Sequence, residues 1–190
     1  LTAALLLAAC ATTPLPRAPL DLAAQGQALR ALPGFQLNGR TAVAAAGDGF
    51  NATVSWRQAG EQSILKLSGP VGGSLTVTWR PGYLRVVSSR GEVLQDAEAE
   101  QAVVAQLGFM PPFEALRYWV LGLAAPGEVP TEQQADEAGR PAHLAQQQWQ
   151  IRYERWTGVA LAGGLAQLPQ RLTATRGDVR LRVFVDKWKL

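Results

Sequence analysis

Between Phe35 and Val87 apolar and polar residues alternate with a period of two, and that alternation leaves the chain few ways to fold. In the first run Phe35, Leu37, Gly39, Thr41 and Val43 share one face; in the next, Phe50, Ala52, Val54 and Trp56 alternate with Asn51, Thr53, Ser55 and Arg57. Leu65 and Leu67 follow. Leu75, Val77 and Trp79 then oppose Ser74, Thr76 and Thr78, and Leu84 and Val86 oppose Tyr83, Arg85 and Val87. Gly47-Asp48-Gly49, Ala59-Gly60-Glu61, the stretch from Gly69 to Gly73, and Pro81-Gly82 supply turns between the runs. The pattern predicts a meander of antiparallel strands, each with one apolar and one polar face, in which sequence neighbours are spatial neighbours. Strands resume over 144–147, at Trp149-Ile151-Tyr153, over 172–175, and along Val179-Leu181-Val183-Val185 to Trp188, with a turn around Gly163-Gly164.

Helices interrupt this sheet in two places. Leu22, Leu29 and Leu32, with alanines between them, predict a short amphipathic helix that stops at Pro33-Gly34. A second helix is predicted from Ala97 to Leu107, with Ala102, Val103 and Leu107 inward. A third starts at Pro111-Pro112 and runs through Leu116, Trp119 and Val120 to Gly122. The polar stretch 127–140 reads as loop. A large sheet with one apolar face must curl or be covered, and an open or closed barrel with its apolar faces inward does both. The mid-chain helices, apolar on one side, fit as a plug or lid for which Met110, Leu116 and Trp119 are the candidate contacts. Val54, Trp56, Leu65, Leu67, Leu75, Val77, Trp79, Trp149, Ile151 and Tyr153 occupy the apolar strand faces and are the candidate lining of an interior. Periodicity leaves open whether that interior is a solid core or a cavity.

Reactive groups are sparse. The chain has one cysteine and one histidine among 190 residues, so an intramolecular disulfide is excluded, and because the cysteine is expected to be lipidated so are a His/Cys metal site and a Cys-His dyad. His143 reads as a solvated loop residue. No G-x-S-x-G elbow precedes a helix, and Gly69-Pro70-Val71-Gly72-Gly73 lacks the lysine and following helix of a phosphate loop. A net charge of +3, with arginines scattered along the chain, gives no reason to expect nucleic-acid binding. No enzyme, cofactor or metal is expected.

The N-terminus carries an address. Leu7-Ala8-Ala9-Cys10 closes an apolar run and has the form of a bacterial lipobox, in which Cys10 is acylated and becomes the first mature residue. This run of nine residues, eight of them apolar, is far short of the roughly 20 that span a bilayer. The n-region of a signal peptide is missing and position 1 is not Met, so the chain is expected to begin partway through its precursor. Residues 1–9 are then a cleaved signal remnant, 10–19 a lipidated cysteine with a proline-rich tether, and 20–190 a single domain. Diacylglycerol and an N-acyl chain on Cys10 would anchor it firmly. Ala11 stands where Asp commonly marks inner-membrane retention in enteric-type bacteria, so the outer membrane is the expected location.

Several segments taken together resemble one family. Gly39-Arg40-Thr41-Ala42-Val43, Phe50 to Trp56, Leu67-Ser68-Gly69-Pro70-Val71-Gly72, Leu116-Arg117-Tyr118-Trp119-Val120-Leu121-Gly122, Trp149-Gln150-Ile151-Arg152-Tyr153, Leu168-Pro169 and the closing Trp188 are similar, in order, to the LolB family of outer-membrane lipoprotein receptors. The resemblance covers nearly the whole mature chain and includes the lipobox. It implies a mainly β fold with some α: an incomplete, strongly curved antiparallel barrel closed by a helical lid over an apolar cavity. It also implies a monomer, facing the periplasm, that takes acylated lipoproteins from the periplasmic carrier LolA and places them in outer-membrane lipid. Pro70, Val71 and Gly72 would form a membrane-inserting loop, with Val71 at a tip that is usually Leu in the family. A lipocalin-like carrier of free lipids and a structural lipoprotein with a solid core would share the anchor and the strands.

Overall fold

In a computed structural model that describes residues 21–45, 47–69, 73–161 and 164–190, the alternating runs build one antiparallel sheet. Its strands are β1 (Gly34–Ala45), β2 (Asp48–Ala59), β3 (Gln62–Ser68), β4 (Ser74–Arg80), β5 (Tyr83–Ser88), β6 (Val93–Gln95), β7 (Glu132–Ala135), β8 (Pro141–Gln146), β9 (Trp149–Leu161), β10 (Gly164–Arg176) and β11 (Val179–Lys189). The helices are α1 (Leu22–Arg30), α2 (Asp96–Leu107) and α3 (Phe113–Trp119). Cys10 and the Pro70-Val71-Gly72 segment lie outside the described residues.

The strand order is β6-β5-β4-β3-β2-β1-β11-β10-β9-β8-β7. Two meanders, one from each half of the chain, therefore meet where β1 pairs with β11, from Gln36 opposite Lys189 to Ala44 opposite Arg180. The edges β6 and β7 do not pair, so the sheet is an incomplete barrel. Segment 96–131, which connects those edges in sequence, carries α2 and α3. Two expectations need correction. The stretch 127–140 is not all loop, because Glu132 to Ala135 form β7 against β8. His143 is not a solvated loop residue either: it lies on β8, partly buried, opposite Arg152 of β9.

The β1–β11 seam depends on Gly39. The register shifts between Asn38 and Gly39, and a Cβ built on Gly39 would lie 1.9 Å from the carbonyl oxygen of Phe184. No side chain fits there without separating the two strands. A Gly39→Ala variant is expected to lose about 3 kcal/mol, roughly 6–12 °C of melting temperature for a domain of this size, in a thermal melt followed by circular dichroism.

Alternation sorts the strand residues onto an inner face, buried beneath the helices, and an outer face. Phe35, Leu37, Val43, Val54, Trp56, Leu65, Leu67, Val77, Leu181 and Val183 are all buried inward. Phe35 packs between Trp56 and Trp188, with ring centroids 5.5 and 5.7 Å away. Helix α2 lies across the sheet and contacts β5, β6, β1 and β2. It stops at Gly108, whose φ of 78° is left-handed and whose missing Cβ leaves room for Ala45, since a Cβ there would lie 2.7 Å from that of Ala45. Helix α1 is capped by the Asp21 carboxylate, which accepts from the Ala24 N–H at 2.9 Å, and it buries Leu29. Gln25 ties it to β10: its side-chain amide donates to the Gln167 carbonyl and accepts from the Gln167 N–H.

Charge is divided between sheet and remainder. Strands hold Arg40, Arg57, Lys66, Arg80, Arg85, Arg152, Arg155, Arg171, Arg176, Arg180, Arg182, Lys187 and Lys189, but among acidic residues only Asp48, Glu132, Glu154 and Asp186. With 18 Lys and Arg and 15 Asp and Glu in the whole chain, the strands carry an excess of nine positive charges and the remaining sequence an excess of six negative ones. Arginines scattered along the sequence are thus gathered on the sheet, where alternation turns most of them outward.

Candidate functional site

The inner face and the helical segment line a small, partly open apolar pocket of about 50 Å³. The sheet contributes Leu37, Thr41 and Val43 of β1, Val54 and Trp56 of β2, Leu65 and Leu67 of β3, Val77 of β4, and Leu181 and Val183 of β11. The covering segment contributes Leu107, Phe109, Pro111, Phe113 and Leu116. Thr41 is the one polar side chain in this wall, and its hydroxyl donates to the Arg182 carbonyl at 3.0 Å. The wall therefore offers dispersion contacts and an escape from water, and neither charge nor a free donor.

The candidate residues divide into three groups. Val54, Trp56, Leu65, Leu67, Val77 and Leu116 line the cavity. Trp79, partly buried, stacks on Phe113 with centroids 6.0 Å apart, while Leu75 and Met110 pack at the margin of the core. Trp149, Ile151, Tyr153 and Trp119 lie in the core outside the cavity lining: Trp149 packs against Phe109 at 5.8 Å and Trp119 at 6.2 Å. Leu37, Val43, Leu181 and Val183 complete the wall. They share the period-two signal of the other strands, but nothing in that signal says which part of an apolar face the helices leave unfilled.

Two polar attachments hold the covering segment. Arg117 of α3 donates to the Gly60 carbonyl in the β2–β3 turn at 3.2 Å. At the other side Gln146, the last residue of β8 and only 1% exposed, uses its whole side-chain amide. Its Oε1 accepts from Trp119 Nε1 and from the Ala125 N–H, both at 2.9 Å. Its Nε2 donates to the carbonyls of Ala125 and Glu128. A single side chain thus joins β8 to α3 and to the chain leaving it.

Tyr153 has the opposite character. Its hydroxyl is buried with no hydrogen-bond partner among the described residues, and burial pushes the phenol well above its ordinary ionisation range. A proton held more tightly in the folded state makes stability constant below about pH 10 and lost as pH rises past the unfolded tyrosine value. Tyr153→Phe is expected to melt within about 1 kcal/mol of the parent at pH 7, since an unpaired buried hydroxyl is removed. It should also lose less stability than the parent between pH 9 and 11.5 in parallel melts.

The site is thus an apolar inner face of an open antiparallel sheet with helices lying across it. A candidate outer membrane lipoprotein-sorting protein domain from Vibrio parahaemolyticus superposes with a TM-score of 0.51 at 6% identity, over 90% of this chain and 91% of that one, which establishes the fold alone. The family model for the outer membrane lipoprotein LolB matches residues 33–188. The outer-membrane lipoprotein LolB of Marinobacter nauticus is 36% identical over 174 residues, 90% of this chain and 82% of the relative. That of Alkalilimnicola ehrlichii is 36% identical over 193 residues, 99% of this chain and 94% of the relative. The chain belongs to the LolB family.

Proposed function

We propose that the chain is a lipid-anchored acceptor at the outer membrane that receives acylated lipoproteins from a LolA-like periplasmic carrier and places them in the membrane, acting as a monomer and without catalysis. The observation that carries this reading is the almost entirely apolar cavity between the inner sheet face and the helical segment, in a chain of the LolB family. Burying an acyl chain of about 14 methylenes is worth on the order of 10 kcal/mol, so cargo cannot wait in water and must pass from one apolar enclosure to another. With no nucleotide site in the sequence, the path runs downhill: the cavity binds chains better than the carrier does, and the bilayer better still.

Ligand sites of drug size occupy at least about 300 Å³, several times the 50 Å³ present. We read this as a closed arrangement in which α2 and α3 are a lid that must rise to admit cargo. The hydrogen bonds of Arg117 and Gln146 are the fastenings that movement breaks, and Phe109, Phe113 and Leu116 are the apolar side chains it exposes to the acyl chain. An acylated Cys10 holds the acceptor at the destination, and Val71 disturbs the bilayer where cargo enters.

The test loads a LolA-like carrier with an acylated lipoprotein, adds the chain, and then adds phospholipid vesicles. Cargo is expected to move to the chain and then to the vesicles. With Val71→Glu acceptance should persist while delivery falls about tenfold or more, because a carboxylate at the tip resists entry into hydrocarbon. Unchanged delivery would remove the loop from the mechanism. Co-purification with free glycerolipid, and no uptake from the carrier, would favour a lipocalin-like carrier instead.

A further inference from the structure

Among the described residues the buried polar side chains Thr41, Gln58, Ser63 and Gln146 are all engaged. Thr41 donates to the Arg182 carbonyl, Ser63 to Gln58 Oε1, Gln58 to the Gly60 carbonyl, and Gln146 joins Trp119 to Ala125. Tyr153 differs from all four. The residue is only 6% exposed, and its hydroxyl has no hydrogen-bond partner among the described residues. Burial keeps the phenol protonated through neutral pH, so it is a donor there. A phenylalanine would fill nearly the same space and leave no polar group unpaired in an apolar interior.

Strand pairing sets this hydroxyl in line with the pocket. Tyr153 of β9 stands opposite Leu172 of β10, Leu172 opposite Val183 of β11, and Val183 opposite Thr41 of β1. Residues directly opposite one another share a face, and Val183 and Thr41 belong to the pocket wall. At about 4.8 Å per strand, the Tyr153 backbone is about 10 Å from that of Val183, and on the concave side of a curled sheet their side chains converge. The covering segment reaches this corner as well. A Cβ built on Gly122, just beyond α3, would lie 3.0 Å from the Trp156 ring, and Trp156 packs on Tyr153 with ring centroids 5.9 Å apart.

We propose that the Tyr153 hydroxyl is the recognition point for an acyl carbonyl of the cargo lipid. The inference rests on the receptor reading above. As the covering segment rises from the Trp156–Tyr153 pair, the pocket lengthens along this row; the methylenes lie against Val183 and the pocket wall, and the carbonyl at the head of the chain accepts from Tyr153. An ester- or amide-linked chain brings an acceptor into the apolar enclosure and no charge. Two groups otherwise unpaired there satisfy each other, and such a bond discriminates more sharply than apolar contact does. Tyr153 thus selects acyl over alkyl chains and fixes how deeply a chain is drawn in.

The experiment uses the full chain and a LolA-like carrier loaded with one lipoprotein in four lipid forms. These carry glycerol esters with an N-acyl amide, glycerol ethers with the amide, esters with a free amine, and ethers with a free amine. Equilibrium uptake is compared between the parent and Tyr153→Phe, whose melt at neutral pH is expected to stay close to the parent's. The parent-to-variant ratio for one cargo cancels the carrier's own preference. That ratio is expected to be about ten for the first form and near one for the last, which has no acyl carbonyl. The second and third forms tell whether ester or amide is read. With ¹³C-labelled acyl carbonyls, the infrared band of bound cargo should lie at lower frequency in the parent than in Tyr153→Phe, a signature that a merely structural role does not move. Equal uptake of the first form, a tenfold ratio that persists for carbonyl-free cargo, or one band position in both chains would overturn the proposal. So would discrimination lost in Thr41→Val and kept in Tyr153→Phe, which would give the carbonyl to the other hydroxyl. Failure of the parent to take up any form would overturn the receptor reading and this inference with it.

Discussion

A Gln146→Leu variant is expected to melt about 6–20 °C below the parent. Leucine fills a similar volume but leaves Trp119 Nε1 and both the N–H and carbonyl of Ala125 buried without partners. Each such group costs roughly 1–3 kcal/mol, and a total near 3–5 kcal/mol translates at about 2–4 °C per kcal/mol. The loss should concentrate in the covering segment. Amide hydrogen exchange of residues 119–128 is expected to accelerate far more than that of β1 or β11, because Gln146 joins this segment to the sheet but lies outside the central seam. A melt shifted by less than 2 °C, with uniform exchange, would show that packing alone holds the helices down.

Val77→Phe should do the reverse and separate stability from function. Val77 is 2% exposed and lines the cavity, so a ring at this position projects into the vacant 50 Å³. Filling a void commonly stabilises by about 0.5–2 kcal/mol, while strain from overpacking costs about 1–3 kcal/mol, so the two effects largely cancel in the melt. Uptake of acylated cargo from the carrier is expected to fall tenfold or more, since the ring occupies space the chain must enter. A variant that melts normally and still takes up cargo at the parent rate would place the acyl chain elsewhere.

The long strands were legible because burying one face of a sheet imposes a period-two pattern, which Phe50 to Arg57 shows without interruption and Val179 to Val185 with the one exception of Phe184. The edge strands were not. Glu132 to Ala135 are all exposed, and β6 has only Leu94 partly buried, so neither needs an apolar alternation; pairing with one neighbour is all that defines them. Gln146 was hidden for a related reason. It falls in the strand read over 144–147, where a glutamine carries no apolar signal, and its burial comes from Trp119 and Ala125, more than twenty residues away. The cavity was legible as a face but not as a boundary. Trp149 and Ile151 carry the same signal as Trp56 and Leu65, and only the positions of Phe109 and Trp119 above them decide that one pair is core and the other is wall. The basic outer face was least visible of all, since antiparallel pairing brings Arg152 and Arg182, thirty residues apart, to either side of Thr173.

The central claim is that the inner face under α2 and α3 receives the cargo's acyl chain. The most direct measurement is to load the carrier with a lipoprotein whose acyl chain ends in a photoreactive group, let it pass to the full chain, irradiate, and map the adducts by mass spectrometry. Adducts are expected on peptides containing Val77, Phe109 and Leu116, and to disappear in Val77→Phe. Transfer with adducts confined to the outer-face residues Thr173 or Arg182, or no transfer at all, would contradict it.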